Sequence, residues 1–259
     1  MMGESSLSKN YQIYGNAVQN NENLSKILNK NGSCYFNNVH SAAPITRDSV
    51  SMTLSFHVPE SVSQMFYEKS IINLAKEGGY KTYWVTAQYT KGLYDTKYEF
   101  LSKESDHTVL AKRNDSDLVE KLTHILDARQ GRGEKKFIFL HMIGSHGPYA
   151  EQYDPIDKEK LPAASDYDRT INKTDRVVGD VYKILNDSGM KYSILFTSDH
   201  GEIIGRGHGI MNGGTDQYLI PYIYMTNSEG SKMCEYIESL RNRNKYINAL
   251  SNKFVLLKM

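Results

Sequence analysis

The chain has 259 residues, and its 31 lysines and arginines nearly balance its 30 aspartates and glutamates, so the formal net charge is +1. This balance excludes the strong basic excess of most nucleic-acid-binding proteins, and we expect no nucleic-acid partner. Hydrophobic residues make up 39% of the chain and charged residues 24%, which is typical of a folded globular protein.

No segment of the sequence has the length of a membrane-spanning helix. The longest strongly apolar stretch is Phe137–Ile143, well short of the roughly 18 residues that a spanning helix needs. The first residues, Met1–Ser5, lead directly into polar sequence and lack the apolar core of a signal peptide. We therefore expect neither a membrane span nor a signal peptide within this sequence.

The two cysteines, Cys34 and Cys234, lie far apart in the sequence and form no Cys-x-x-Cys pattern. This spacing excludes a zinc ribbon and a dense disulfide scaffold. We favour two unpaired buried thiols, and a Cys34–Cys234 bridge is the alternative.

Four segments have the composition of buried β-strands. Each is short, apolar and rich in β-branched or aromatic residues, as expected of strands that are covered on both faces. In chain order they are Thr82–Thr86, Phe137–Met142, Tyr192–Thr197 and Tyr222–Met225.

Helical patterns lie between these strands. Apolar residues from Ile71 to Ala75 precede Gly78-Gly79, which can end a helix. A second pattern at helical spacing runs from Tyr167 to Leu185. The alternation of helix and strand predicts an α/β fold with a mostly parallel central sheet between two layers of helices. Because no linker interrupts the pattern, we expect one domain over residues 1–259.

Two further segments complete this prediction. The stretch Asp154–Ala164 contains two prolines and mixed charges, and we interpret it as an exposed loop. The tail Arg241–Lys258 mixes basic and apolar residues, which indicates a terminal helix packed on the sheet.

Candidate metal ligands follow the third predicted strand directly, in Ser198-Asp199-His200-Gly201-Glu202. In parallel sheets, ligands bind beyond the carboxyl ends of the strands. A turn at this end can bring Asp199 and His200 to one ion, and a carboxylate oxygen with an imidazole nitrogen suits Zn²⁺, or alternatively Mn²⁺. A polar turn capped by the aspartate is the structural alternative.

Two more histidines lie in glycine-rich loops. His146 follows the second strand in Gly144-Ser145-His146-Gly147-Pro148, where the flanking glycines can expose its ring to a substrate. The alternative is an imidazole bound to loop carbonyls. His208 lies in Arg206-Gly207-His208-Gly209 and can fold back to the same sheet edge. His141 lies within the strand itself, and we assign it to the core.

Two motifs near the start of the chain are uninformative when they are taken alone. Glu4 in Gly3-Glu4-Ser5 could be a surface carboxylate, and Thr46 in Pro44-Ile45-Thr46-Arg47-Asp48-Ser49-Val50 could cap a helix. Combined with the Gly-Ser-His-Gly-Pro, Ser-Asp-His-Gly-Glu and His-Gly motifs, in this order, they resemble the phosphoethanolamine transferases of the alkaline phosphatase and sulfatase superfamily. The segment Gly78–Trp84 is also similar to that family.

The resemblance implies a role for each matching residue. The residues that match metal ligands are Glu4, Asp199 and His200, with Thr46 as nucleophile and fourth ligand. The residues that match the phosphate- or substrate-binding positions are His146 and His208. A threonine hydroxyl is a poor nucleophile at neutral pH, and a divalent cation bonded to its oxygen favours the alkoxide.

The resemblance also implies a substrate and a location. The donor would be phosphatidylethanolamine, the intermediate a phosphothreonine, and the acceptor an envelope glycolipid or glycan such as lipid A or the lipopolysaccharide core. The family acts at the periplasmic face of the bacterial inner membrane, to which an amino-terminal region outside this sequence would tether the domain. With two cysteines, the chain lacks the several disulfides of well-known colistin-resistance members.

Several alternatives remain open. Ser41, Ser49 and Ser51 are rival nucleophiles, and Thr46 is preferred because its Thr-x-x-Ser-Val spacing matches the family. A phosphoglycerol transferase that uses phosphatidylglycerol has a very similar residue set. A catalytically silent, glycan-binding module with the same fold is a third hypothesis. A type I sulfatase is excluded because no Cys/Ser-x-Pro-x-Arg motif is present.

Overall fold

The computed structural model describes residues 1–30, 32–88, 96–127 and 133–259. The strands in this part of the chain are β1 (Met2–Gly3), β2 (Cys34–Tyr35), β3 (Val39–His40), β4 (Lys81–Thr86), β5 (His107–Leu110), β6 (Lys136–His141), β7 (Ser193–Ser198), β8 (Tyr222–Thr226) and β9 (Ile247–Asn248). The α-helices are α1 (Glu22–Leu28), α2 (Thr46–Leu54), α3 (Ile71–Glu77), α4 (Thr96–Glu104), α5 (Asp115–Asp127), α6 (Pro155–Lys160), α7 (Asp166–Asp187), α8 (Met233–Ser239) and α9 (Asn252–Lys258). Across these described residues, no helix combines the length and apolarity needed to span a bilayer.

Seven strands form the central sheet, in the order β2-β8-β7-β1-β6-β4-β5. The pairs among β7, β1, β6, β4 and β5 are all parallel, whereas β8 pairs antiparallel with both β7 and β2. A separate parallel pair joins β3 to β9. The prediction of a mostly parallel sheet is confirmed, and the four predicted strands match β4, β6, β7 and β8 to within one residue at each end.

Alternation along the strands divides the core between the two faces of the sheet. In β6, Leu140 packs with residues of α1, α5 and α7, whereas its neighbour Phe139 packs with residues of α2, α3 and α4. In β7, Leu195 contributes to a third cluster with α8 and α9. Because successive strand side chains point to opposite faces, one sheet supports two layers of helices, as the sequence predicts.

The register at the centre of the sheet positions the candidate site. Met2 of β1 lies opposite His141 of β6 and Thr197 of β7, and Gly3 lies opposite Ser198. The residues that follow β1 and β7 therefore leave the same edge of the sheet side by side, at the roughly 4.8 Å spacing of neighbouring strands.

The segment Asp154–Ala164 is not all loop, so that prediction was wrong. Helix α6 covers Pro155–Lys160, and Asp154 and Asp157 form a reciprocal capping box at its start. Proline at the first helical position has no hydrogen bond to lose, and it therefore starts a helix here.

The tail is helical only in its last part. Helix α9 covers Asn252–Lys258, whereas the basic stretch before it forms turns and strand β9. Val255 is buried in the same cluster as Leu195 and Tyr222 of the sheet. Packing of a terminal helix on the sheet is thus confirmed over a shorter span than predicted.

Cys34 and Cys234 form a disulfide, with their Cα atoms 6.1 Å apart. The prediction of two unpaired thiols was wrong. Strand β2 adds to the sheet edge beside β8, and α8 brings Cys234 to the same place. The tertiary fold creates this proximity, which no local sequence signal records.

Candidate active site

The candidate site lies at the carboxyl edge of the central strands. Glu4 directly follows β1, and Asp199 and His200 directly follow β7, so the sheet register brings all three together. Their side chains are fully buried. Thr46 is the first residue of α2, and Ile45 occupies the cap position that the helix-cap alternative gave to the threonine.

Four residues that the sequence analysis assigned to the metal form one cluster, which we call the site cluster: Glu4, Thr46, Asp199 and His200. His200 Nε2 lies 3.2 Å from Glu4 Oε1 and 3.3 Å from Asp199 Oδ2. The Thr46 hydroxyl donates to Glu4 Oε2 at 3.0 Å and lies 3.2 Å from His200 Nε2. Residues up to 196 positions apart in the chain thus meet around a single point.

Local hydrogen bonds fix the orientation of these groups. The backbone N–H groups of Ser5 and His200 donate to Asp199 Oδ1 at 3.1 and 2.7 Å. His200 Nδ1 donates to the Gly201 carbonyl at 2.8 Å, which leaves Nε2 directed at the carboxylates. Asp199 Oδ2 is buried and has no hydrogen-bond partner in the structure.

In the site cluster, two buried acids surround one histidine, and each of the three groups has a shifted pKa. Burial raises the pKa of Asp199 well above its usual range, and the nearby charge of Glu4 raises it further. Burial alone would also raise the pKa of Glu4, but the charge of His200 holds it well below its ordinary value. Burial would lower the pKa of His200, but the two carboxylates raise it to about 10.

This arrangement fits a divalent cation. Two carboxylates and an imidazole are ligand types that bind Zn²⁺, and the buried Asp199 Oδ2 makes no hydrogen bond, although His200 Nε2 lies 3.3 Å from it. Within the described ranges, no lysine or arginine forms an ion pair with Glu4 or Asp199. Ligand atoms of Glu4, His200 and His208 also lie within 4.8 Å of one another, so His208 is a further candidate ligand.

The two remaining predicted histidines differ in their position. The ring of His208 is partly buried, with its centroid 4.0 Å from that of His200. His146 is exposed, and its ring centroid lies 6.4 Å from that of His208. Its Nδ1 donates to the Gly147 carbonyl at 2.6 Å, as the loop-carbonyl alternative proposed. His146 therefore lies on an exposed loop beside His208.

The loop that carries His146 is fixed against the start of the chain. Gly144 has a φ of 50°, and a Cβ there would lie 2.7 Å from the backbone nitrogen of Glu4. Ser145 N–H donates to the Glu4 carbonyl at 2.9 Å. The buried Asp115 carboxylate accepts from the N–H groups of Ile143 and Gly144 at 2.7 and 2.9 Å. Only glycine allows this close approach without strain.

Sequence reasoning missed two direct neighbours of Glu4. Gln88 Nε2 donates to Glu4 Oε2 at 2.9 Å, and the Ser5 hydroxyl donates to Glu4 Oε1 at 2.7 Å. Ser5 belongs to the Gly3-Glu4-Ser5 motif, and its position directly after Glu4 is the sequence signal for this contact. Gln88 follows β4 at the same sheet edge, which could have marked it.

The rival nucleophiles are buried and donate elsewhere. The hydroxyls of Ser41, Ser49 and Ser51 donate to the backbone carbonyls of Ala43, Asp199 and Asp48, in that order. His141 lies in the core among the rings of Trp84, Tyr98 and Phe139, outside the site cluster as expected.

A sequence model described as Sulfatase matches residues 1–254. The chain belongs to the sulfatase family. Among relatives, it is 23% identical over 260 residues to the phosphoethanolamine transferase EptC of Escherichia coli K12, covering 88% of this chain and 44% of the relative. It is 31% identical over 224 residues to a putative phosphoethanolamine transferase of Haemophilus influenzae, covering 78% of this chain and 44% of the relative.

A solved structure of a sulfatase-family relative has the same fold. The C-terminal periplasmic domain of Escherichia coli EptC, in complex with Zn, superimposes with a TM-score of 0.82 at 22% identity, covering 97% of this chain and 78% of that one. The chain spans less than half the length of the curated relatives it matches.

Proposed function

We propose that this chain is the catalytic domain of a metal-dependent transferase that moves phosphoethanolamine from phosphatidylethanolamine to a cell-envelope glycolipid or glycan. The observation that carries this proposal is the Thr46 hydroxyl, which lies within 3.2 Å of both Glu4 and His200 at the start of α2. A hydroxyl held between a carboxylate and an imidazole at a helix N-terminus is placed to attack an anionic phosphate group.

Glu4, Asp199, His200 and Thr46 would hold the metal ion, with zinc as the expected ion. Once bound, a divalent cation supplies Lewis acidity, which favours the threonine alkoxide and offsets the negative charge of the phosphate. The protein groups supply the geometry. Glu4 Oε2 accepts the hydroxyl hydrogen of Thr46, which orients the oxygen and offers a route for its proton.

The chemistry proceeds in two displacements. In the first, Thr46 Oγ1 forms a bond to phosphorus, and the bond to the diacylglycerol oxygen breaks, with a proton from His146 or His208 neutralising the departing alkoxide. In the second, an acceptor hydroxyl bonds to phosphorus and passes its proton to the histidine that gave one up in the first step, while the Thr46 ester bond breaks and Thr46 Oγ1 takes back its proton from Glu4. Both histidines lie on the open side of the site cluster, where the leaving group and the acceptor would enter.

The relatives support the substrate class and the location. The Escherichia coli relative is a phosphoethanolamine transferase, the Haemophilus influenzae relative is described as a putative one, and the structural neighbour is described as a periplasmic domain. We infer that residues 1–259 act as one domain at the periplasmic face of the inner membrane, tethered by a region outside this sequence. Lipid A or the lipopolysaccharide core is the expected acceptor.

Intact-mass spectrometry tests the nucleophile. After incubation with phosphatidylethanolamine and zinc, we expect a phosphoethanolamine adduct on wild-type protein, and none on Thr46→Ala, whose turnover should fall by at least about 10³-fold. Thr53→Val is the matched control on the same helix, because the Thr53 hydroxyl is buried without a partner. It should form the adduct normally.

The same experiment separates the alternatives. An adduct of glycerophosphate mass from phosphatidylglycerol alone would instead indicate a phosphoglycerol transferase. Absence of both an adduct and bound metal would indicate a silent glycan-binding module. Full transfer by Thr46→Ala would contradict the nucleophile assignment.

A further inference from the structure

Glu202 is buried beside the site, and the proposed function gives it no role. It is only 2% exposed and binds two groups from different loops. The Tyr149 hydroxyl donates to Glu202 Oε1 at 2.6 Å, and His208 Nδ1 lies 2.8 Å from Glu202 Oε2. The side chain thus links the loop after β6 to the loop that carries His208.

Tyr149 anchors Glu202 to the rigid part of the site. Its ring packs edge-on against Tyr167, with centroids 5.0 Å apart. The Tyr167 hydroxyl in turn donates to the Ser5 carbonyl at 2.7 Å and accepts from the Leu7 N–H at 2.8 Å. The position of Glu202 is therefore tied to the backbone that directly follows Glu4.

This anchoring decides which nitrogen of His208 carries the proton. A carboxylate only accepts hydrogen bonds, so Nδ1 of His208 is the donor to Glu202. The other neighbour of Nδ1 is the Ser5 hydroxyl at 3.4 Å, which already donates to Glu4 at 2.7 Å. The neutral ring consequently presents an unprotonated Nε2, which can donate to a leaving alkoxide only after it has taken up a proton, while Glu202 holds Nδ1–H throughout.

We propose that Glu202, held by Tyr149, is a positioning residue that fixes the tautomer and the ring orientation of His208. The effect of Glu202 on turnover rests on the proposed function, whereas its effect on the tautomer and orientation of the His208 ring does not. His146, by contrast, donates from Nδ1 to the carbonyl of its own loop and has no such buried carboxylate. The geometry therefore makes His208 the more firmly oriented of the two histidines.

Nuclear magnetic resonance of metal-free protein labelled with ¹⁵N-histidine tests the tautomer directly. In the neutral form of the ring, we expect His208 to show a protonated Nδ1 and a bare Nε2. Glu202→Ala should convert this signal to a mixture of tautomers. The exposed His124 should remain unchanged and provides the internal reference. Protonation of His208 at Nε2 in the wild-type protein would overturn the proposal.

Turnover with phosphatidylethanolamine tests the catalytic consequence. Removal of a residue that orients a site histidine typically costs 10- to 100-fold, and we expect a loss of about that size in kcat for Glu202→Ala, with little change in KM. Glu202→Gln retains the volume, and its side-chain carbonyl can still accept from Nδ1, so it should restore kcat to the extent that the Nδ1–H signal returns. Glu151→Ala, an exposed change in the neighbouring loop, should leave kcat unchanged.

The outcomes of the two measurements are separable. If the wild-type protein transfers no group but His208 has the expected tautomer, the proposed function fails and the positioning of His208 stands. If the wild-type protein is active and Glu202→Ala matches it, the positioning role is wrong. A folded Glu202→Gln that keeps Nδ1–H but loses activity as fully as Glu202→Ala would also contradict the proposal.

Discussion

Two clusters of charged residues, one partly buried and one fully buried, accommodate their acids in different ways. In the α6–α7 cluster, which consists of Asp154, Asp157, Lys173 and Arg176, each acid has a cationic partner. Arg176 donates to Asp154 and to Asp157 at 2.7 Å, and Lys173 donates to Asp154 at 3.0 Å. In the site cluster, two acids share one histidine as their only charged partner among the described residues, and Asp199 Oδ2 makes no hydrogen bond.

The difference shows which cluster serves the fold alone. Buried charges are stabilised only when a partner and hydrogen bonds compensate for the lost hydration. The α6–α7 cluster satisfies this condition with its own residues. The site cluster does not, which we interpret as the mark of a site that is completed by a bound cation.

We expect the largest loss of stability when the Arg176 cation is removed from the α6–α7 cluster. Arg176→Ala leaves Asp157, which is fully buried, without its ion-pair partner. We expect the free energy of unfolding to fall by about 3 to 4 kcal/mol in urea denaturation, with or without metal. Lys183→Ala, which breaks the exposed Lys183–Asp187 pair on the same helix, should leave the free energy of unfolding nearly unchanged and is the control. Equal losses for the two variants would remove the contrast between the clusters.

His141 shows what burial does to a histidine that has no acid partner. Burial among aromatic rings lowers its pKa from 6.5 to about 4, opposite to the direction for His200. As pH falls from 6.5 to 4, the unfolded chain binds this proton before the folded one. The stability contribution is therefore complete above pH 6.5 and is lost towards pH 4.

Denaturation between pH 7 and 4 measures this contribution. We expect wild-type protein to lose about 2 to 3 kcal/mol more stability over this range than His141→Phe, which cannot titrate. The aromatic replacement suits the surrounding rings, and it loses only the long 3.4 Å contact between Nδ1 and the Thr86 hydroxyl, because Nε2 makes no hydrogen bond. Identical pH profiles would show that His141 is protonated in the folded protein as readily as in the unfolded chain.

Much of the fold could be predicted from local pattern. The strands β4, β6, β7 and β8 are long and apolar, and α7 follows an extended helical spacing. Strand β1 has two residues, and β5 (His107–Leu110) is mostly exposed, so neither carries a periodic apolar signal. The Cys34–Cys234 disulfide depends on the pairing of β2 with β8, which only the assembled sheet establishes.

The sequence predicted those residues of the candidate site that directly follow the end of a strand. Glu4, Asp199 and His200 belong to motifs at the carboxyl ends of β1 and β7, and the register brings them together. Gln88 and Tyr149 were missed because they contribute through partners on other elements. The prediction of a loop at Asp154–Ala164 was wrong because a proline at the first position of a helix, as at Pro155, can also be taken for a loop signal.

The central claim is that the site cluster is built to bind a cation. The stability of Asp199→Asn tests it most directly, and without metal this variant should show the smallest of the predicted effects. Thermal and urea unfolding of wild-type protein and Asp199→Asn should be compared without metal and with zinc, with Asp187→Asn as the exposed control. Without metal, we expect Asp199→Asn to lie within about 1 kcal/mol of wild type, because burial and Glu4 already disfavour the charge that it removes, and the asparagine oxygen can still accept from the backbone N–H groups of Ser5 and His200. Zinc at about 100 times its dissociation constant should stabilise the wild type by about 2.7 kcal/mol and the variant far less. A variant that is strongly destabilised without metal, yet responds to zinc as the wild type does, would contradict the account.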